Sequence, residues 1–145
     1  ITHSTIVNYW DFNSALPGFS LYATNEYKGE SGLEQGPLTL NIKNSILYGD
    51  KENAILFNPT SGQTFVTTFQ NCLLKYGNGS TYSVDSGSIK NQDPKFQNYF
   101  TQKMNLRVKA DSPAKGKGNV ATAALFPQDI VKVSRTVSPT IGAYQ

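Results

Sequence analysis

The feature that most constrains the fold is an internal match between two segments of the chain. Residues 38–48 (LTLNIKNSILY) align without gaps on residues 65–75 (FVTTFQNCLLK), so that Leu38 falls on Phe65 and Asn44 on Asn71. The opening residues ITHSTIV also align on the first of these segments, with His3 at the position of Asn44. A repeat spaced by about 20–50 residues is typical of chains that stack one short structural unit on the next.

The matched segments also carry a strand pattern that restarts after the shared Asn. Apolar and polar residues alternate before it, as in a strand with one buried face, and the alternation changes phase after it. The predicted inward side chains are Leu38, Leu40, Ile42, Ser45 and Leu47, and the predicted outward ones include Ile46 and Tyr48.

A change of phase within two residues requires a sharp bend, which one residue with positive φ can make. The residues at that place are His3, Asn44 and Asn71, and Asn and His are enriched in the left-handed region. We therefore predict them as structural bend positions. Small residues follow each of them, which suits a crowded corner.

Short turns between parallel strands are possible when a chain winds as a solenoid. We therefore expect an all-β fold, a right-handed parallel β-helix segment with few coils, loop insertions and a C-terminal cap. Residues 1–145 form one domain on this view, with coils over 1–90, an insertion at about 8–36, and a final coil and cap over 91–145. The chain reads as a fragment of a longer protein. A pair of unrelated strands in a β-sandwich is the alternative.

Composition excludes several classes of function. Thirteen basic residues are scattered along the chain for a net charge of +3, so no basic stripe for nucleic acid is expected. The single cysteine, Cys72, excludes an intrachain disulfide and disfavours a thiolate metal site. No apolar run is long enough for a membrane span. We predict no metal and no cofactor.

Three motifs near the end of the chain carry a resemblance. QDPKF at 92–96, SPA at 112–114 and IGAY at 141–144 occur in that order, and the sequence resembles the C-terminal part of a bacterial exported or surface parallel β-helix family with a pectate-lyase-like solenoid. Lys115 and Gly116 stand where that family usually has Ile-Asp, and Thr140 where Asp is common. The resemblance implies a secreted or cell-surface location in a bacterium.

No catalytic residue is predicted. The ten acidic residues fall mainly in loops and turns, and Asp93 before Pro94 suits a turn. His3 lies in the bend frame, and Cys72 follows a bend as a small buried residue, so neither is expected to act as a base or a nucleophile.

The aromatic residues of the insertion are the candidate binding groups, because exposed rings stack on sugar faces. They are Tyr9, Trp10, Tyr22, Tyr27 and the nearby Tyr48, with Phe12 among them. Covering the solenoid is the alternative role for these rings. We expect a non-catalytic, structural, adhesive or glycan-binding module whose partner is a polysaccharide or surface glycan. The alternative is the C-terminal portion of a polysaccharide lyase or glycoside hydrolase with its active site upstream. Upstream coils or another copy could cover the N-terminal strand edge.

Overall fold

The structure is a computed structural model, which describes residues 1–10, 18–77, 80 and 82–145. Within these residues the strands are β1 Thr5–Asn8, β2 Leu21–Thr24, β3 Glu26–Gly29, β4 Gly32–Gln35, β5 Leu38–Lys43, β6 Ile46–Gly49, β7 Ile55–Asn58, β8 Phe65–Gln70, β9 Leu73–Leu74, β10 Ile89–Lys90, β11 Phe96–Asn98 and β12 Asn105–Val108. A 3-10 turn spans Thr101–Lys103, and one short helix, α1, spans Val120–Ala124.

The predicted right-handed parallel β-helix segment is wrong. The described strands belong to five small separate sheets, one of four strands in the order β1-β6-β9-β10 and four of two strands. Two of the pairs, β3-β4 and β11-β12, are antiparallel. The strands are two to six residues long and the chain repeatedly leaves the repeat for hairpins and loops, so no long solenoid forms.

Local pairing nevertheless follows the repeat. β5 and β8 are parallel with Leu38 opposite Phe65 and Ile42 opposite Phe69. β6 pairs with β9 in parallel, and β1 pairs with β6 so that Ile6 lies opposite Leu47. The alternation of apolar residues fixes these registers, because a slip by one residue would turn every side chain to the other face.

The bend positions have the backbone that the phase change requires. The φ angles of His3, Asn44 and Asn71 are 48°, 48° and 51°. The small residue after each bend bonds back to the carbonyl two positions earlier: Ser4 Oγ donates to Thr2 O at 3.1 Å, and Ser45 Oγ to Lys43 O at 2.7 Å.

The two middle strands of the four-stranded sheet, β6 and β9, are buried on both faces, which corrects one prediction. Leu47 and Leu74 point into one apolar cluster with Ile42 and Phe69, as expected. Ile46 and Tyr48 were expected to point outward, yet they are 1% and 8% exposed. They lie in a second cluster whose other buried members are Leu73, Phe96, Val108, Ala114 and Ile141. Segments after residue 90 therefore cover this face, and full burial of a side chain such as Ile46 stabilises the fold by about 1.5–3 kcal/mol.

The last residues lie against this covered face. Gly142 N–H donates to Asn44 O at 2.8 Å, and Ala143 N–H donates to Thr5 Oγ1 at 3.0 Å. The φ of Gly142 is +114°, and a Cβ there would lie 2.9 Å from both Ile46 Cδ1 and Thr5 Oγ1. A residue without a side chain is needed for this close approach.

The predicted insertion at 8–36 contains more regular structure than expected. β2 pairs in parallel with β7, Leu21 opposite Ile55. Residues 26–36, within this insertion, contain the antiparallel hairpin β3-β4, with Tyr27 opposite Glu34. Cross-strand pairs of this kind stabilise a two-stranded ribbon whose alternation is too weak to recognise in the sequence. Asp11 and Phe12 lie outside the described residues.

Candidate functional site

The predicted aromatic residues divide into two groups on different parts of the fold. Tyr9 directly follows β1, and Tyr48 lies on β6, with their ring centroids 6.5 Å apart. Tyr22 lies on β2 and Tyr27 on β3, in two other sheets. Among the described ring contacts, none joins these two tyrosines to the first group.

Residues that the sequence analysis did not select complete the first group. The ring of Tyr99 stacks on Tyr9 with centroids 4.5 Å apart, and Phe100 stacks on Tyr99 at 5.1 Å. Phe96 meets Tyr9 edge to face at 6.2 Å. We call the stacked rings of Tyr9, Tyr99 and Phe100, together with Trp10, which follows Tyr9 in the chain, the aromatic surface. Tyr99, Phe100 and Trp10 are 43%, 56% and 36% exposed.

The aromatic surface stands on a rigid base. Tyr48 and Phe96 beneath it are buried in the second apolar cluster. Phe100 is held by its N–H, which donates to Asn98 Oδ1 at 2.9 Å just before the 3-10 turn. Trp10 N–H donates to Asp50 Oδ2 at 2.6 Å. The backbone of Trp10 is therefore fixed by a side chain from a neighbouring segment, and that of Phe100 by a side chain two residues earlier.

Carboxylates surround the inner part of the aromatic surface. The pKa of the Tyr9 hydroxyl is raised. Burial has the largest effect, followed by electrostatic interactions with Asp93, Tyr48 and Asp50 in that order. Asp93 also contributes to the raised pKa of Tyr48, after burial. The Tyr9 hydroxyl therefore stays protonated and able to donate a hydrogen bond.

Tyr22 and Tyr27 have a different setting. They are 53% and 62% exposed, and Tyr22 lies opposite Leu56 on the outer face of its sheet. The hydroxyl of Tyr27 donates to Glu34 Oε2 across the hairpin, and this bond raises the pKa of Tyr27. Single exposed rings without an aromatic neighbour are common on protein surfaces.

His3 and Cys72 are poorly suited to catalysis at neutral pH. Burial, and then the charge of Arg135, lower the pKa of His3 to about 4, so its imidazole is uncharged. Cys72 is 0% exposed and burial raises the pKa of its thiol to about 11. A nucleophilic cysteine requires an accessible thiolate, which this site disfavours.

The described part of the chain holds no group of three His, Cys, Asp or Glu side chains that could bind a metal ion. Its one ion pair joins Lys95 and Asp111 at 2.8 Å, with both side chains exposed. No helix among the described residues is long and apolar enough to span a membrane.

A groove runs along the outer edge of the four-stranded sheet. Residues 1–6 form one wall, and the other wall includes Phe126, Ile130 and Arg135. Its volume is about 730 Å³, which is within the range of about 300–1,000 Å³ found for ligand sites.

Comparison with protein-family models, curated proteins and solved structures found no match to this chain. The resemblance to exported bacterial proteins and the location that it implies therefore stay predictions.

Proposed function

We propose that this chain is a non-catalytic module that binds a glycan through the aromatic surface. The observation that carries the proposal is the stack of Tyr9, Tyr99 and Phe100, whose outer rings are exposed while its base is buried. A group of exposed aromatic rings does not add to the buried core of the protein. Contiguous exposed apolar surface of this kind commonly marks a binding site. The flat faces of pyranose rings carry C–H groups that pack on such rings.

Preorganisation supports the same proposal. The rings of Tyr9, Tyr99 and Phe100 hold each other by stacking, so this stack loses little side-chain freedom on binding. The backbone amides of Trp10 and Phe100 are held by hydrogen bonds. Tyrosine and tryptophan supply large contact area with only two side-chain torsions each.

The charges near Tyr9 favour a neutral sugar chain. Asp50 and Asp93 lie close enough to influence the Tyr9 hydroxyl, and carboxylates accept hydrogen bonds from sugar hydroxyls. The same charges would repel the carboxylates of a uronic acid polymer. We therefore expect neutral polysaccharides to bind better than polygalacturonate.

Affinity electrophoresis against soluble xylan, glucan, mannan and polygalacturonate tests the proposal. Phe100→Ala and Trp10→Ala should each weaken binding by about 3- to 10-fold, since an aromatic contact contributes about 0.5–1.5 kcal/mol. Tyr22→Ala and Tyr27→Ala are matched controls, because these rings are also exposed but lie on other sheets. Retardation by no glycan, or an equal loss in the control variants, would refute the proposal.

A further inference from the structure

The positive charge of the chain is concentrated in residues 112–145. They contain four basic residues and one acidic residue, whereas residues 1–111 contain nine of each. The whole net charge of +3 therefore belongs to residues 112–145. An uneven distribution of this kind indicates a binding partner that carries the opposite charge.

The one acidic residue of this segment does not face solvent. Asp129 is 7% exposed, and its carboxylate accepts hydrogen bonds from backbone N–H groups that follow it in the chain. Arg135 is 3% exposed and donates to Ala143 O at 2.9 Å. Lys117 and Lys132, by contrast, are exposed. The charge that this segment presents to solvent is therefore positive.

A tight turn places apolar side chains next to Lys132. Asp129 N–H donates to Val133 O at 2.9 Å, and Lys132 N–H donates to Asp129 O at 3.0 Å. Ile130 and Val131 occupy the two central positions of this turn and are 71% and 44% exposed. Turns usually carry Gly, Asn, Asp, Pro or Ser, and the φ of Lys132 is 66°, a region in which glycine is less strained. The sequence is therefore not the one that best stabilises a turn, which favours a role outside folding for its exposed side chains.

The arms of this turn lead to two further exposed apolar residues. Arg135 N–H donates to Pro127 O at 3.0 Å and so holds the arms together. Leu125 lies two residues before that contact and Val137 two residues after it. Their side chains are 75% and 89% exposed, and neither is among the residues of the groove beside residues 1–6. Exposed apolar side chains therefore extend from the turn along both arms.

A second backbone contact places a lysine beside the same region. Gly118 N–H donates to Pro139 O at 2.8 Å, and a Cβ on Gly116 would lie 2.6 Å from Ser138 Oγ. Lys117 lies between these two glycines and is therefore next to the end of the second arm. We call the following exposed side chains the basic apolar surface: Lys117, Leu125, Val131, Lys132, Val133 and Val137.

We propose that the basic apolar surface binds to the surface of a lipid bilayer that contains anionic lipids. Lysines beside exposed apolar side chains fit such an interface, because the cations attract the anionic headgroups while the apolar groups enter the boundary of the acyl chains. This surface shares no residue with the aromatic surface, so the two kinds of binding are independent.

A second copy of the chain fits the basic apolar surface less well. In a two-fold symmetric dimer the same patch of each copy meets itself. Lys117 and Lys132 would then approach their own counterparts, and like charges across an interface oppose association. An anionic lipid surface replaces this repulsion by attraction.

Cosedimentation with large vesicles tests the proposal. One set of vesicles consists of phosphatidylcholine alone, and the other of three parts phosphatidylcholine and one part phosphatidylglycerol. The partition coefficient should be at least about tenfold larger for the anionic vesicles, because each lysine near an anionic surface contributes roughly fivefold. Added salt should lower this coefficient, since salt screens charges at an exposed surface.

A pair of lysine substitutions tests the charges. The double variant Lys117→Gln, Lys132→Gln should bind the anionic vesicles at least about tenfold more weakly than the parent. The double variant Lys28→Gln, Lys103→Gln is the control with the same net charge, because these lysines are exposed on other parts of the chain. It should keep most of the binding.

A second pair of substitutions tests the apolar contact. The double variant Leu125→Ser, Val137→Ser should also bind at least about tenfold more weakly, because each CH₂ group buried among the acyl chains contributes roughly fourfold. Leu33→Ser with Val66→Ser is the matched control, since these residues are exposed on β4 and β8. Thermal melts of all four double variants check that they fold.

Three results would overturn the proposal. They are the absence of binding to the anionic vesicles, equal binding to both kinds of vesicle, and equal binding by the surface variants and their controls. Concentration-dependent association without vesicles, lost when Leu125 and Val137 are changed to serine, would assign the surface to a second copy and also overturn it.

Discussion

Asn44 and Asn119 bind each other through a reciprocal pair of hydrogen bonds across 75 residues of sequence. Asn44 Nδ2 donates to Asn119 O at 2.9 Å, and Asn119 N–H donates to Asn44 Oδ1 at 2.7 Å. The side chain of Asn119 also accepts from Thr122 N–H and so caps helix α1. One amide therefore fixes a sheet bend against the start of the helix.

Replacing Asn44 should be strongly destabilising. Asn44→Gly keeps access to positive φ but removes both bonds and leaves the half-buried N–H and C=O groups of Asn119 without these partners, and we expect it to lower the free energy of unfolding by about 2–4 kcal/mol. Asn44→Ala should cost about 1 kcal/mol more, because alanine disfavours positive φ. Urea denaturation measures both. Asn71→Gly is the control, since Asn71 is more exposed and its Nδ2 makes one bond, to Lys117 O. Equal losses at 44 and 71 would contradict this account.

Gly142→Ala should separate the last residues from the sheet. The added Cβ would press on Ile46 and Thr5, and we expect a loss of about 2–4 kcal/mol from overpacking and backbone strain together. Gly32→Ala is a matched control, because Gly32 has a similar φ of +123° with nothing within 4 Å of the added atom. Thermal unfolding should show a clearly larger drop for Gly142→Ala. If the two variants lose the same stability, strain alone explains both.

Cys72 should resist thiol reagents in the folded protein. Its side chain is fully buried and its pKa of about 11 leaves little thiolate at pH 8. Labelling by a disulfide reagent should therefore be slow in buffer and should rise with urea in step with the loss of circular dichroism. Rapid labelling without denaturant would show that the cluster around Cys72 opens locally.

Stability should fall as the pH drops from about 6.5 to 4, because of His3. Its pKa is lowered to about 4 in the folded protein from 6.5, chiefly by burial. The unfolded state therefore binds more protons across this window, so stability rises with pH there and is lost as pH falls. His3→Asn cannot titrate in this range and tolerates positive φ, so its urea midpoint should vary less between pH 6.5 and 4. An unchanged pH profile would rule out His3 as the cause.

The local part of the fold could be predicted from sequence. The register of Leu38 with Phe65 and the backbone at Asn44 depend on residues within one repeat, where alternation and a positive-φ residue leave few options. The number of strands that stack could not be predicted in this way. It depends on where hairpins such as β3-β4 interrupt the chain, and their residues carry no strong alternation.

The orientation of Tyr48 illustrates the other limit. Ile46, Leu47 and Tyr48 form an apolar run that is compatible with burial on one face or on both. The face of Ile46 and Tyr48 is covered by Phe96, Val108 and Ile141, which are distant in sequence. Tyr99 and Phe100 were missed for the same reason: their proximity to Tyr9 arises only when β11 packs on that face.

The hydrogen bond from Ala143 to Thr5 joins residues 138 positions apart, and it has a consequence for the order of folding. During synthesis, β1 and β6 leave the ribosome long before Ile141 can cover Ile46. Part of this apolar face therefore stays exposed to solvent until Ile141 packs against Ile46. Contacts so distant in sequence slow folding, and an exposed apolar face of this kind favours aggregation of the incomplete chain until residues 141–143 pack on the sheet.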